Sequence, residues 1–211
     1  MHINGEQADV VRRRAHELVT GVLPFTRGDP TYQKVCAGYS PGYGTSCTFL
    51  PHWMLLQLGV SKDNDTRGVK GTHRGLINRE DASRGTKIVP GDGVSVIANS
   101  KAFVRRTAAN KGAMPQRGDI VIIQADPYKQ SYEHVFVFLG TIDDGTWDTG
   151  ESGQARSNAD NGAFEALRKQ RKVKAGDAKI IALAADGIPD RYVQGWLDIS
   201  LLDYVPELLP Q

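Results

Sequence analysis

The sequence predicts a mixed α+β domain, and three observations carry that reading. Amphipathic helical periodicity comes first, strand-like segments follow, and a tight Asp143-Asp144-Gly145 turn joins neighbouring strands in the manner of an antiparallel hairpin. A length of 211 residues suits one domain, 1–211, and is ample to bury a core. With 40% hydrophobic residues the chain is too apolar for disorder.

Residues 6–22 read as the first helix, with Val11, Ala15, Leu18 and Val22 recurring at helical spacing and the arginines mostly on the opposite face. Residues 24–46 read as loop, punctuated by Pro24, Gly28, Pro30, Gly38, Pro41, Gly42 and Gly44. CTFLPHWMLLQLG then forms a second helix closed by Gly59. Proline fits only a first helical turn, so Pro51 puts the start of this helix close to Cys47. The polar, glycine-rich stretch that follows is long for a loop, which makes 61–100 a candidate insertion or lid. A short helix is expected over 99–110, with Asn99 as cap. Strands are expected at 119–124 (DIVIIQ), 133–140 (EHVFVFLG), 146–150 (TWDTG) and 178–185 (AKIIALAA), with a basic helix at about 162–173. Alternation along EHVFVFLG puts His134, Phe136 and Phe138 on one face and Val135, Val137 and Leu139 on the other.

Charge and cysteine content exclude several classes. A net charge of +2 gives no support for a nucleic-acid protein, and no apolar run approaches the roughly 18–20 residues of a membrane helix. Two cysteines, Cys36 and Cys47, cannot build a disulfide framework or a four-thiolate zinc site. The opening MHINGEQADVVRRRAHELV has arginines where an export signal needs an apolar core, so cytosolic synthesis is expected.

Cys47 is the sharpest chemical feature. It follows a Gly/Thr/Ser loop and opens a helix, where the helix dipole favours thiolate and first-turn amides can donate to an oxyanion. A thiol nucleophile needs a base within hydrogen-bond reach. His2 and His16 belong to the N-terminal segment, His52 lies within the helix of Cys47, and His73 lies in the candidate insertion. That leaves His134, at the start of a rigid strand, as the better base. A third group must orient the imidazole. The strand after the Asp-Asp-Gly turn offers Asp148, Glu151 and Gln154, of which Asp148, nearest a hairpin partner of the His134 strand, is favoured.

The order of YSPGYGTSCTFLPHWMLLQLG, PQRGDIVII and EHVFVFLG resembles the NlpC-type and CHAP-type amidohydrolases of the papain-like cysteine peptidase superfamily. In those enzymes a cysteine opens a helix, a Pro-x-x-Gly-Asp turn (here Pro115 to Asp119) starts a strand, and a histidine begins the following strand. The likeness covers roughly residues 6–150, leaving 61–100 unmatched. The usual Asp-Cys-Ser-Gly around the nucleophile is replaced by Ser46-Cys47-Thr48-Phe49. A softer likeness, in Trp147–Gln154 and Gly195–Asp198, is to amidase-like proteins of phage and interbacterial secretion systems.

The resemblance implies a papain-like fold, with N-terminal helices on an antiparallel sheet. It implies Cys47 as nucleophile, His134 as general base, Asp148 as the orienting group and Tyr43 as part of the oxyanion site. It further implies a cysteine amidase or endopeptidase acting on the peptide part of peptidoglycan, with no metal or organic cofactor. Delivery to periplasm or cell wall would be non-classical, and an antibacterial effector would have an immunity protein or secretion-apparatus component as partner. Two other readings stay open: acyl transfer or deamidation on protein or lipid, and a non-catalytic wall-binding module. The basic run Arg168–Lys174 reads as a solvated helix face, and His73, Asn78 and Arg79 as loop polar groups.

Overall fold

A computed structural model describes residues 1–26, 28–36, 46–61, 64, 97–98, 100–110, 112–126, 134–142, 145–154, 165–174, 182–185 and 188–210. Helices lead and an antiparallel sheet follows, the α+β class expected from the sequence.

Helix α1 (Gly5–Val22) opens with a capping box in which Asn4 accepts from the Gln7 amide at 2.9 Å and the Gln7 side chain accepts from the Asn4 amide at 3.0 Å. It buries Val11 and Ala15, as the periodicity predicts, while Leu18 and Val22 are half-buried against the core; Val19 and Arg12 are buried as well. Arg13 and Arg14 are exposed, and Arg12 is the exception to the polar-face reading.

The region read as loop contains β1 (Phe25–Thr26) and α2 (Pro30–Cys36). Pro30 opens α2, where its missing amide hydrogen costs nothing, and Tyr32 and Val35, three residues apart, pack into the core. The density of Pro and Gly on either side hid that pair. A 3-10 turn, Ser46–Thr48, leads directly into α3 (Phe49–Gln57). Gly59, at φ +74°, ends it: its amide bonds Leu56 and the Val60 amide bonds Leu55, both at 3.1 Å, a Schellman close.

The remaining elements are β2 (Phe103–Arg105), β3 (Ile120–Gln124), β4 (His134–Ile142), β5 (Thr146–Gln154), β6 (Glu165–Lys174), β7 (Ala182–Ala185) and β8 (Ile188–Leu197). All the pairings are antiparallel, in the order β1-β6-β5-β4-β3-β8-β2. Because β7 pairs with both β6 and β8, six strands close into a ring. Val121, Ile123, Phe136, Phe138, Trp147, Val193 and Trp196 form a core of their own with no helical residue in it, which is the filling of that ring. Val135, Val137, Leu139, Ile120 and Ile122 face the other way and share the larger core with α1, α2 and α3. The predicted alternation of β4 therefore separates two cores.

Two expected helices are strands. The segment 99–110 carries β2, which pairs Phe103 with Leu197 and Arg105 with Gly195 of β8, followed by a 3-10 turn at Ala108–Asn110. The basic segment at 162–173 holds β6, flanked by β5, β7 and β1. Its Ala, Leu, Arg, Lys and Gln are good helix formers, but two rows of ladder bonds outweigh intrinsic propensity. Of the candidate insertion, 62–63, 65–96 and 99 lie outside the described residues. Val60 bridges Tyr204, Asn64 exchanges side-chain bonds with the Asp203 backbone at 2.7 and 2.9 Å, and Ile97 and Ala98 are buried, so both ends are fastened to the body. Among the described residues no helix is long and apolar enough to cross a membrane.

The Pro-x-x-Gly-Asp motif is the joint between helix and sheet. Gly118 adopts φ +89°, and a Cβ there would meet the Ile199 side chain at 2.7 Å and the Ala15 side chain at 2.8 Å. Asp119 accepts from the Gln116 amide at 2.8 Å, the Ile199 amide at 3.2 Å and the Arg12 guanidinium at 2.7 Å. Arg12 reaches Asp198 with its other arm, also at 2.7 Å. This buried pairing is why Arg12 sits on the core face of α1.

Candidate functional site

Cys47 is a fully buried, reduced thiol in the 3-10 turn that feeds α3. The turn lies against β4 and β5 and brings the thiol to the first residue of β4, His134. The imidazole of His134 hydrogen-bonds both the Cys47 thiol and the Glu151 carboxylate. Its Nε2 is 2.9 Å from Glu151 Oε2, which leaves Nδ1 as the ring nitrogen available to the thiol.

Burial alone would drive the His134 pKa down. The hydrogen bonds and negative charge of Cys47 and Glu151 outweigh it, and the imidazole is held above its ordinary range. Glu151 is the converse case. Burial would raise its pKa, but hydrogen bonds and positive charge from His134 and Arg171 hold the carboxyl well below the usual range. The site is thus arranged to hold an imidazolium at His134 against the Glu151 carboxylate once the ring takes a proton.

Of the sequence-predicted residues, the structure brings Cys47 and His134 together and leaves Asp148 elsewhere. Asp148 lies opposite Gly140, six positions along β4 from His134, about 20 Å at strand rise. It is also on the other face of β5 from Glu151, because the two are three positions apart, an odd number. Its carboxylate takes a fork from Arg168, with Nε 2.8 and 2.9 Å from the two oxygens and Nη2 2.5 Å from Oδ2. The carboxylate that meets His134 is therefore Glu151, the second of the three acids and amides weighed from the sequence. Tyr43 lies outside the described residues, and so do the side chains of Gln154 and Cys36. His52, within α3, is buried, and burial lowers its pKa to about 4, keeping it neutral.

Two further residues of the site escaped the sequence reading. Ser152, the neighbour of Glu151 on β5, accepts from the Leu50 amide at 3.3 Å and donates to the Cys47 carbonyl at 3.2 Å. Thr48, at the cap position of α3, makes no side-chain capping bond, so Ser152 supplies that bond from the neighbouring strand. Consecutive residues of one strand thus hold the two halves of the site, Glu151 the imidazole and Ser152 the cysteine turn. Arg171 sits inside the run dismissed as a solvated face, yet its side chain is 3% exposed and ion-paired to Glu151. The available signal was period-two alternation: Arg168, Gln170 and Lys172 are exposed, whereas Arg171 is buried and Lys169 and Val173 are half-buried.

Among the described residues no three His, Cys, Asp or Glu side chains gather to hold a metal ion. No family model, curated protein or solved structure matches the chain.

Proposed function

We propose that this chain is a papain-like cysteine amidase or endopeptidase that cleaves amide bonds in the peptide part of peptidoglycan. The observation that carries the hydrolase reading is the buried Cys47 thiol hydrogen-bonded to an imidazole whose far nitrogen is held by Glu151. The wall-peptide substrate rests on the likeness of the loop-Cys-helix, Pro-x-x-Gly-Asp and strand-His segments to NlpC-type and CHAP-type enzymes.

In this reading His134 takes the Cys47 proton and becomes imidazolium, stabilised by Glu151, and the thiolate sulfur attacks the scissile carbonyl carbon. The carbonyl oxygen becomes an oxyanion facing amides of the cysteine turn. Leu50 is excluded from that role because its amide is committed to Ser152. Collapse of the intermediate breaks the C–N bond, and His134 returns its proton to the leaving amine. Water, deprotonated by His134, then displaces the thiolate and releases the acid. Tyr43 is proposed to support the oxyanion. Action in periplasm or cell wall after non-classical delivery, with an immunity protein or secretion component as partner, belongs to the same proposal.

Mass spectrometry of purified peptidoglycan after digestion tests it. The wild type is expected to release peptide fragments that Cys47→Ala does not, with at least a thousand-fold difference in rate. Intact muropeptides beside a Cys47 that still reacts with thiol reagents would exclude the wall-amidase reading and favour transfer or deamidation on another substrate.

A further inference from the structure

Glu151 is 0% exposed, and every acceptor position of its carboxylate is taken. Arg171 fills two, with Nε 2.6 Å from Oε1 and Nη2 2.8 Å from Oε2. The Thr149 hydroxyl donates to Oε1 at 2.7 Å, and His134 holds Oε2 at 2.9 Å. The Arg171 guanidinium in turn lies 5.4 Å from the centre of the Phe136 ring, the first inward aromatic of the strand that carries His134. Arg171 is therefore fixed on two sides, by a carboxylate fork and by a ring.

We propose that Arg171 is a positioning residue of the cysteine site: it fixes the Glu151 carboxylate toward His134 and balances its charge, so that Cys47 and His134 can hold separated charges in a buried place. The inference rests on the Cys47–His134 reading above and extends it to β6. With thiolate, imidazolium, carboxylate and guanidinium present, the four formal charges sum to zero. Without Arg171 the same state carries a net negative charge out of water, and the cheapest relief is for the thiol to keep its proton. Lys169, whose Nζ is 3.9 Å from Glu151 Oε2, stands too far away to replace the two short bonds.

The test needs no substrate. The rate at which iodoacetamide alkylates Cys47 is measured against pH in the full chain carrying Cys36→Ser, as wild type at 171, Arg171→Gln and Arg171→Lys. Tryptophan fluorescence reports folding, since Trp53, Trp147 and Trp196 are all buried and Trp147 packs beside Phe136 and Phe138. In wild type, reactivity is expected to rise well below the ordinary thiol range of about 8.5. In Arg171→Gln the half-point of that rise moves up by about one pH unit or more. Arg171→Lys keeps the charge but not the fork, and moves it by a few tenths. A folded glutamine variant whose rise coincides with wild type overturns the proposal. If the glutamine variant does not fold, coincidence of the lysine variant overturns it instead. A wild-type rise at about 8.5 removes the paired thiol itself, an outcome distinct from unchanged variants of a pre-activated one.

Discussion

Two buried arginines, each bound to acids, serve opposite ends in this molecule. Arg12 of α1 spans Asp119 and Asp198 and closes on the backbone, where Ile199 and Gln116 amides complete the Asp119 carboxylate. Arg171 of β6 spans one carboxylate, and the chain of contacts runs on through His134 to a thiol. The chemistry at the arginine is the same, but the first network ends on backbone amides and the second ends on the two groups that exchange a proton in the proposed reaction. Position decides the use: the first network locks a helix to a turn, while the second lies beneath the start of a strand and the start of a helix. Electrostatics separates them too. Asp119 has its pKa raised to about 6, by burial first and by Asp198 as well, despite Arg12, whereas Glu151 is held below the usual range.

That contrast is open to direct attack. The largest expected effect on folding is at Arg12. Arg12→Met leaves the buried Asp119 and the half-buried Asp198 without their counter-charge and is expected to cost about 3–5 kcal/mol in urea unfolding, with Cys47 alkylation in the folded protein unchanged. Altered thiol reactivity there would mean the two networks are one. Next is the pH response. For Asp119 the folded pKa of about 6 lies above the ordinary 3.8, so the folded state binds more protons between those values. Its contribution to stability therefore falls as pH rises from about 4 to 6, by on the order of 2 kcal/mol, and Asp119→Asn should flatten this part of the stability curve. Glu151 runs the other way: its contribution is present above about 4.5 and is lost as pH falls below that. The smallest effect is at Ser152. Ser152→Ala removes the borrowed cap of α3 and should cost about 1 kcal/mol and a few-fold in hydrolysis, while leaving the Arg12 joint intact.

The sequence made the joint legible as a motif and the site legible as Cys47 and His134, with Glu151 among three candidates and Ser152 and Arg171 unseen. Pro115 to Asp119 stood out because a tight turn before a strand demands Gly and Asp, although its partner Arg12 looked like a surface charge. Cys47 and His134 were visible because each marks the start of an element, a position that needs no knowledge of pairing. The choice among Asp148, Glu151 and Gln154 depended on strand register, which bulges alter: the β4–β5 pairing shifts between Phe138 and Gly140. Asp148 was favoured as nearest a hairpin partner of the His134 strand, but parity along β5 puts its side chain on the helical side of the sheet, where it meets Arg168. Arg171 was hidden for a similar reason. A run of Arg, Lys and Gln reads as a helix face until the ring of strands around it is known, and only then does every second residue point inward.

The central claim is that Glu151, rather than Asp148, completes the Cys47–His134 pair, and Cys47 alkylation by iodoacetamide at pH 6 tests it most directly. In the Cys36→Ser background, Glu151→Gln is expected to slow the reaction by about ten-fold or more relative to wild type, because the imidazolium loses its counter-charge. Asp148→Asn is expected to stay within about two-fold, since among the described residues its carboxylate bonds Arg168, on the far face. A folded Glu151→Gln protein that alkylates as fast as wild type, or an Asp148→Asn protein slowed to the same degree, would contradict the account.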